Sequence, residues 1–488
     1  MPSQTLTNNQ IDTSQKDVVP IIGVISRPPM ESTMSTTEIR MVNDPIYIEE
    51  IPEQQLPMKK MTLSNPSRNL YRLAACVFWS FSGGFSDATP GALLPHIEAY
   101  YGTSYAVTSC IWIGNALGFI FIAAISHKIQ PWFGKRKSLV LGCASQTIMY
   151  ALVSSGTKFP IIVIAFFFGG AGFATVLSQS NVFTARFDKA SKYLSFLHGA
   201  YGVGATVSPI LATVMVSRGI KWHFFYLLLL GLMIMNGIAL FISFKGADED
   251  LKKWDYDEPE TIELQDRVER DSSESIVQEP SDMTLALKNK NTWLIAFFCL
   301  FYQGSEVSLA GWIVTFFLDY RKGNINTVGY AASGLWGGLT LGRLLLTRPL
   351  HIYLGARRGV IIVSIISIIM VALVWGIPNL FAEAVLVALA GIAIGPNYSL
   401  LIMYSASEGL LPRKIQVVSL TIMTAFGSSG GALFPFIVGL LSQKVGTFVV
   451  LPVFIALYSS MLIMWISLPN IEHRNRSSSK FKLLDRIW

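Results

Sequence analysis

Twelve apolar runs of about twenty residues decide what this chain can fold into: 70–94, 105–126, 138–156, 159–183, 193–216, 222–244, 291–317, 327–347, 358–377, 380–405, 415–441 and 447–468. A helix rises about 1.5 Å per residue, so a run near 20 residues crosses about 30 Å of hydrocarbon. Inside lipid only helices and closed barrels satisfy their own backbone. The expected fold is therefore an all-α membrane protein with twelve transmembrane helices. Charge is scarce to match, at 14% of the 488 residues, against about 25% in soluble chains. The loops on one side carry twelve Lys and Arg, including Lys128, Lys135 to Lys137, Arg186 and Arg357, and the opposite loops carry six. Positive charge marks the cytosolic side, so both termini are expected there. The tail before residue 70 has no apolar core, and no cleaved signal peptide is expected.

Several function classes drop out. Cys76, Cys110, Cys143 and Cys299 sit in separate apolar runs, and the six His form no H-E-x-x-H pair. Neither a disulfide framework nor a metal site is expected. No G-x-x-x-x-G-K-[ST] loop is present, which argues against ATP-driven work. The net charge of +7 comes mostly from loops and the basic tail from Arg474 to Arg486, a pattern suited to anionic lipid and not to nucleic acid. The expected partners are the bilayer and a small-molecule substrate. The protein is expected to be a monomer in the plasma or vacuolar membrane, with no resident cofactor and no enzymatic activity.

The runs fall six and six around a polar stretch, 246–290, with fourteen acidic and six basic residues. It reads as a solvated cytosolic linker with room for one short helix. The domain plan is a disordered tail (1–69), a six-helix bundle (70–245), the linker, a second bundle (291–470) and a basic tail (471–488). The halves echo each other. FSDATPG (85–91) matches GSEVSLAG (304–311), placing Asp87 against Glu306 at an offset of 219. PWFGKRK (131–137) matches IYLGARR (352–358), with Gly134 and Gly355 offset by 221, and GATVSP (204–209) matches GGALFP (430–435), offset by 226. Three matches in order at a nearly constant offset indicate a duplicated six-helix unit.

This layout resembles the major facilitator superfamily over roughly residues 70–470. Gly134 with Arg136 and Gly355 with Arg357 are similar to that superfamily's basic loop motif, which implies a gating role for them. The first copy lacks the usual Asp-Arg pair, so a cytoplasmic lock there is expected to be built differently. HGAYGVGATVSP (198–209), GSEVSLAGWIV (304–314) and GPNYSLLIMYSASEGLLPRK (395–414) look closer to fungal members of the fucose-permease-like branch. That resemblance implies proton-coupled alternating access, with a first-span carboxylate as one coupling site. Asp87 fits. The branch's bacterial members also use a Glu in the fourth span, which here holds only Gln179 and Asn181.

The other acid follows from a census. Of 31 carboxylates, all but seven lie in the tails or linker, and of those seven only Asp87 and Glu306 are far from a span end. At about 1.5 Å per residue each lies ~15 Å or more from either surface. An ionisable group there marks function by default, so both are expected to carry protons. The alternative is a structural acid at a close helix contact among Gly83, Gly84, Gly304 and Gly311. Candidate substrate ligands are the remaining span polar residues Asn115, Gln146, Gln179, Asn181, Asn236, Gln303 and Asn397, together with Trp312. Each competes with a plain interhelical hydrogen bond. His198 joins them because the branch places a polar substrate contact there. Arg343 is expected near the cytosolic side as a gate or packing residue. With no Lys or Arg anticipated at mid-depth, a neutral sugar- or polyol-like solute is favoured over a cation, and both over an anion. Cation–proton antiport and a sensor on the same fold are the competing readings.

Overall fold

The computed structural model describes residues 60–252, 282–405 and 410–472. Its helices fill the predicted runs. The first span is Asn69–Asp87 continued by Thr89–Tyr101, and the second and third merge into Cys110–Ser154. Phe159–Ala185, Ala190–Ser217 and Phe225–Ser243 complete the first half. The second half comprises Lys290–Asp319, Tyr330–Leu341 with the turns that follow, Ala356–Gly376, Leu380–Ile394 with Pro396–Ser405, Arg413–Val445 and Val450–Ser467. Among the described residues, nine helical segments are long and apolar enough to cross a membrane. The first, third and eighth runs are not among these nine. The first is interrupted at Ala88, the third is fused to the second, and the eighth is broken by wide turns.

Each break has a chemical cause. Pro90 has no N–H to continue the ladder, and the helix restarts at Thr89, whose hydroxyl donates 2.7 Å back to Phe85 O. Asp87 sits at this seam. Its counterpart Glu306 lies inside an unbroken 30-residue helix, which contains no proline. In the eighth span Pro349 is flanked by π-helical turns at Gly342–Leu346 and Leu350–Leu354. Such turns are uncommon and concentrate at functional sites.

Glycines set the helix spacing. Lipid supplies no hydrophobic drive between helices, so association depends on small residues that let backbones touch. A Cβ on Gly84 would lie 1.9 Å from Tyr201 O, and one on Gly204 1.9 Å from Phe81 O, so the first and fifth spans cross on reciprocal glycines. The seventh and eleventh repeat the arrangement, with Gly430 on Leu300 O and Gly304 under the Phe434 ring. Between halves, Gly91 of the first span approaches Ala310 O of the seventh.

The tail and linker boundaries need correction. Met61 is fully buried, and its backbone bonds Arg186 O and Asp188 N at 3.0 and 2.8 Å, so the packed unit begins before residue 69. Past the sixth span, Ala247–Asp250 folds back as a short helix with Ala247 and Leu251 buried. A second short helix, Asp282–Lys288, precedes the seventh span. The rest of the expected linker, with most of both tails, lies outside the described residues.

Gly204→Ala should destabilise the protein by about 1–3 kcal/mol through overpacking. Gly231→Ala, which meets nothing within 4 Å, should be neutral or gain up to about 1 kcal/mol of helix propensity. Unfolding of the purified variants in denaturant checks the contrast.

Candidate functional site

The two deep acids lie at the seam between the halves, near enough for their charges to act on each other. Asp87 accepts a hydrogen bond from the Tyr201 phenol on the fifth span. Beside it, Tyr150 on the third span donates to Ser86 Oγ at 2.7 Å. Asp87 is solvent-accessible although it lies far from both ends of its membrane span. Across the seam, Trp336 of the eighth span meets the Tyr201 ring edge-on at 6.3 Å.

Glu306 is 7% exposed and is not alone. Arg343, carried on the first π turn of the eighth span, places a guanidinium nitrogen 2.9 Å from Glu306 Oε1. The sequence-based expectation that no Arg reaches mid-depth is therefore wrong. The Arg343 side chain is long enough to extend from its turn to the acid, and burial of Glu306 rewards that reach. Tyr302, one turn before Glu306, is buried beside the pair and stacks on Tyr398 at 6.3 Å. His198 is half-buried near the eighth span, where the next residue, Gly199, faces Leu344.

The remaining candidates separate. Gln179 and Asn181 are half-buried, and their side-chain carbonyl oxygens meet no donor among the described residues. Asn115 lies against Gly170 of the fourth span, and Gln303 against Gly427 of the eleventh. Three expectations are corrected because the side chains are already engaged. Gln146 accepts from Trp79 Nε1 at 3.0 Å. Asn397 is fully buried and donates to the Tyr458 hydroxyl at 2.8 Å. Trp312 is fully buried, bonds Pro435 O at 2.9 Å and packs on Trp112. Tyr302 and Tyr398 were missed. Tyr302 had a signal, since residues four apart share a helix face; Tyr398 had none, because its approach depends on tertiary packing.

The basic loop motifs are built alike in both halves. Gly134 and Gly355 have φ of 73° and 85°, a conformation that favours glycine. Each lets the next helix start against a carboxylate: Asp248 accepts from Lys135 N at 2.6 Å, and Glu472 from Ala356 N at 2.7 Å. Arg136 donates to Phe241 O, and Arg357 to Leu468 O and Ile466 O. Each arginine thus ties its loop to the last helix of its own half.

Breaking the Glu306–Arg343 pair from one side should cost more than removing both partners. In a cycle of Glu306→Gln, Arg343→Met and the double variant, the coupling should be about 0.5–3 kcal/mol in denaturant unfolding.

Comparison with known proteins agrees with this geometry. The chain is 26% identical over 434 residues to "Bypass of stop codon protein 6" of Saccharomyces cerevisiae, covering 84% of this chain and 85% of that protein. The Major Facilitator Superfamily model matches residues 76–435. A match across both six-helix halves, with paired deep acids at their seam, makes this chain a member of the major facilitator superfamily, a family of membrane transporters and not of enzymes.

Proposed function

We propose that this protein is a proton-coupled secondary transporter of a small neutral solute, sugar- or polyol-like in character, working by alternating access. The observation that carries the reading is the placement of Asp87 and Glu306, repeat-related acids from opposite halves, at one seam among Tyr201, Trp336, Tyr302 and Tyr398. A carboxyl that loses and regains water as a cavity opens to alternate sides changes its proton affinity with each cycle. Rocking of two six-helix units about a midplane site provides that exposure.

Arg343 alters the charge argument without reversing it. Its guanidinium is matched by Glu306, which leaves Asp87 as the acid without a cationic partner in the described site. An organic anion entering the cavity would face that carboxylate. A neutral polyol finds the Tyr201 phenol on Asp87 and the aromatic faces of Tyr201 and Trp336. The same Asp87 favours a second reading, exchange of a cationic amine for protons. The fungal fucose-permease-like likeness supports the first reading over the second.

Asp87→Asn and Glu306→Gln should each abolish pH-gradient-driven accumulation in reconstituted vesicles while leaving insertion intact. Accumulation by both variants would remove proton coupling from these residues. In a thermal-shift screen at two pH values, neutral polyols should raise the unfolding temperature and organic anions should not. Stabilisation by amines alone would select the exchange reading, and by anions alone would refute both.

A further inference from the structure

A second pair of acids sits where the halves are shut. At the end of the molecule away from the central linker, contacts cross the seam at several levels. Tyr105 N donates to Gln443 Oε1 at 3.1 Å, Gly329 lies against Thr213, Gly439 against Ser109, and Trp112 packs on Trp312 at 5.7 Å. Within this closure Glu98 of the first half and Asp319 of the second come close enough to repel. They are repeat mates as well, since 98 to 319 is an offset of 221 against 219 for Asp87 and Glu306. The Tyr105 phenol donates to Asp319 across the seam, whereas Glu98 Oε1 is buried with no hydrogen-bond partner among the described residues.

Nearby cations are not aimed at the pair. Arg321 is held by Glu383 at 2.7 Å and by the Val374 and Trp375 carbonyls, and Lys322 and Lys444 are exposed. The other titratable groups on these elements are His96, Tyr100 and Tyr101 beside Glu98, and Tyr320 beside Asp319. None is a fixed positive charge.

We propose that Glu98 and Asp319 form a proton-operated latch on this gate: the halves close when the pair takes up a proton from that face and part when it is lost. A carboxylate with a buried, unpartnered oxygen beside a second negative charge is costly to keep ionised, while two hydrated carboxylates in a parted gate are not. Both residues lie past the ends of the apolar runs 70–94 and 291–317, in reach of the aqueous phase. Burial, and then the Asp319 charge, push the closed-gate Glu98 carboxyl up from 4.5 to about 8. The closed form therefore binds the proton more tightly than the open form. Closure is favoured fully below the lower value and weakens as pH rises toward the upper one. Between them the closed-to-open ratio should fall by up to about tenfold per pH unit.

The latch does not depend on which solute is carried, and its test removes the deep acids. Spin labels at Val107→Cys and Val445→Cys, both exposed at this end, report the gate in the full-length Asp87→Asn/Glu306→Gln protein with its four native cysteines replaced. Distances by pulsed electron resonance from pH 4 to 9 should shift from a short to a long population as pH rises. Adding Glu98→Gln should leave the gate shut across the range, and Asp319→Asn, which removes the smaller cause of the raised Glu98 carboxyl, should narrow the pH response. A pH response that survives both substitutions, its absence before them, or closure on raising pH would overturn the latch.

Discussion

The cost of a charge in hydrocarbon orders the interior of this protein. An acid at mid-span is expensive unless compensated, and the two halves compensate theirs differently. Glu306 has a guanidinium at 2.9 Å, while Asp87 has a phenol and solvent exposure. The first is a fixed pair inside one half, formed by neighbouring seventh and eighth spans. The second stays open to whatever enters the seam. A duplicated unit has thus kept the position of its acid and diverged in what surrounds it. The local backbone diverges too: Asp87 lies at a helix break imposed by Pro90, and Glu306 on an uninterrupted helix.

Around that centre the halves are stiff units with a shared seam. Reciprocal glycines lock the first span to the fifth and the seventh to the eleventh, at backbone contact. Asp248 and Glu472, each just past the last helix of its half, cap the helix that begins after Gly134 or Gly355. These ties run within a half, so they survive a change in the angle between halves. The contacts across the seam are of other kinds: glycine crossings such as Gly91 on Ala310, Gly202 on Thr340, Gly329 on Thr213 and Gly439 on Ser109, ring packing, and the polar cluster at Tyr105. Motion between halves costs only the second group.

Much of this was legible in the chain. Run length gives the all-α membrane fold, in which nine of the described helical segments are long and apolar enough to span, and three short matches at offsets of 219 to 226 point to a duplicated unit. The deep acids emerge from counting, because nearly every other carboxylate is in a tail, a loop or the linker. What could not be read was reach. Arg343 falls near a predicted span end, and only the π turns and its extended side chain carry it to Glu306. Asn397 and Gln146 look like free amides in one dimension, yet Tyr458 and Trp79 occupy them in three. The docking of Met61 and the caps from Asp248 and Glu472 join residues far apart in sequence, with no periodicity to announce them.

The account rests on one site being reached from both faces in turn. A thiol at the seam tests it directly: His198→Cys, in protein otherwise free of cysteine and sealed in vesicles of known orientation, probed with a membrane-impermeant maleimide added to one face at a time. The account predicts labelling from each face, with reaction from the Tyr105 side lost when Ser104→Cys and Gln443→Cys are crosslinked and reaction from the other side retained. Labelling from one face only, whatever the state of that crosslink, would contradict it.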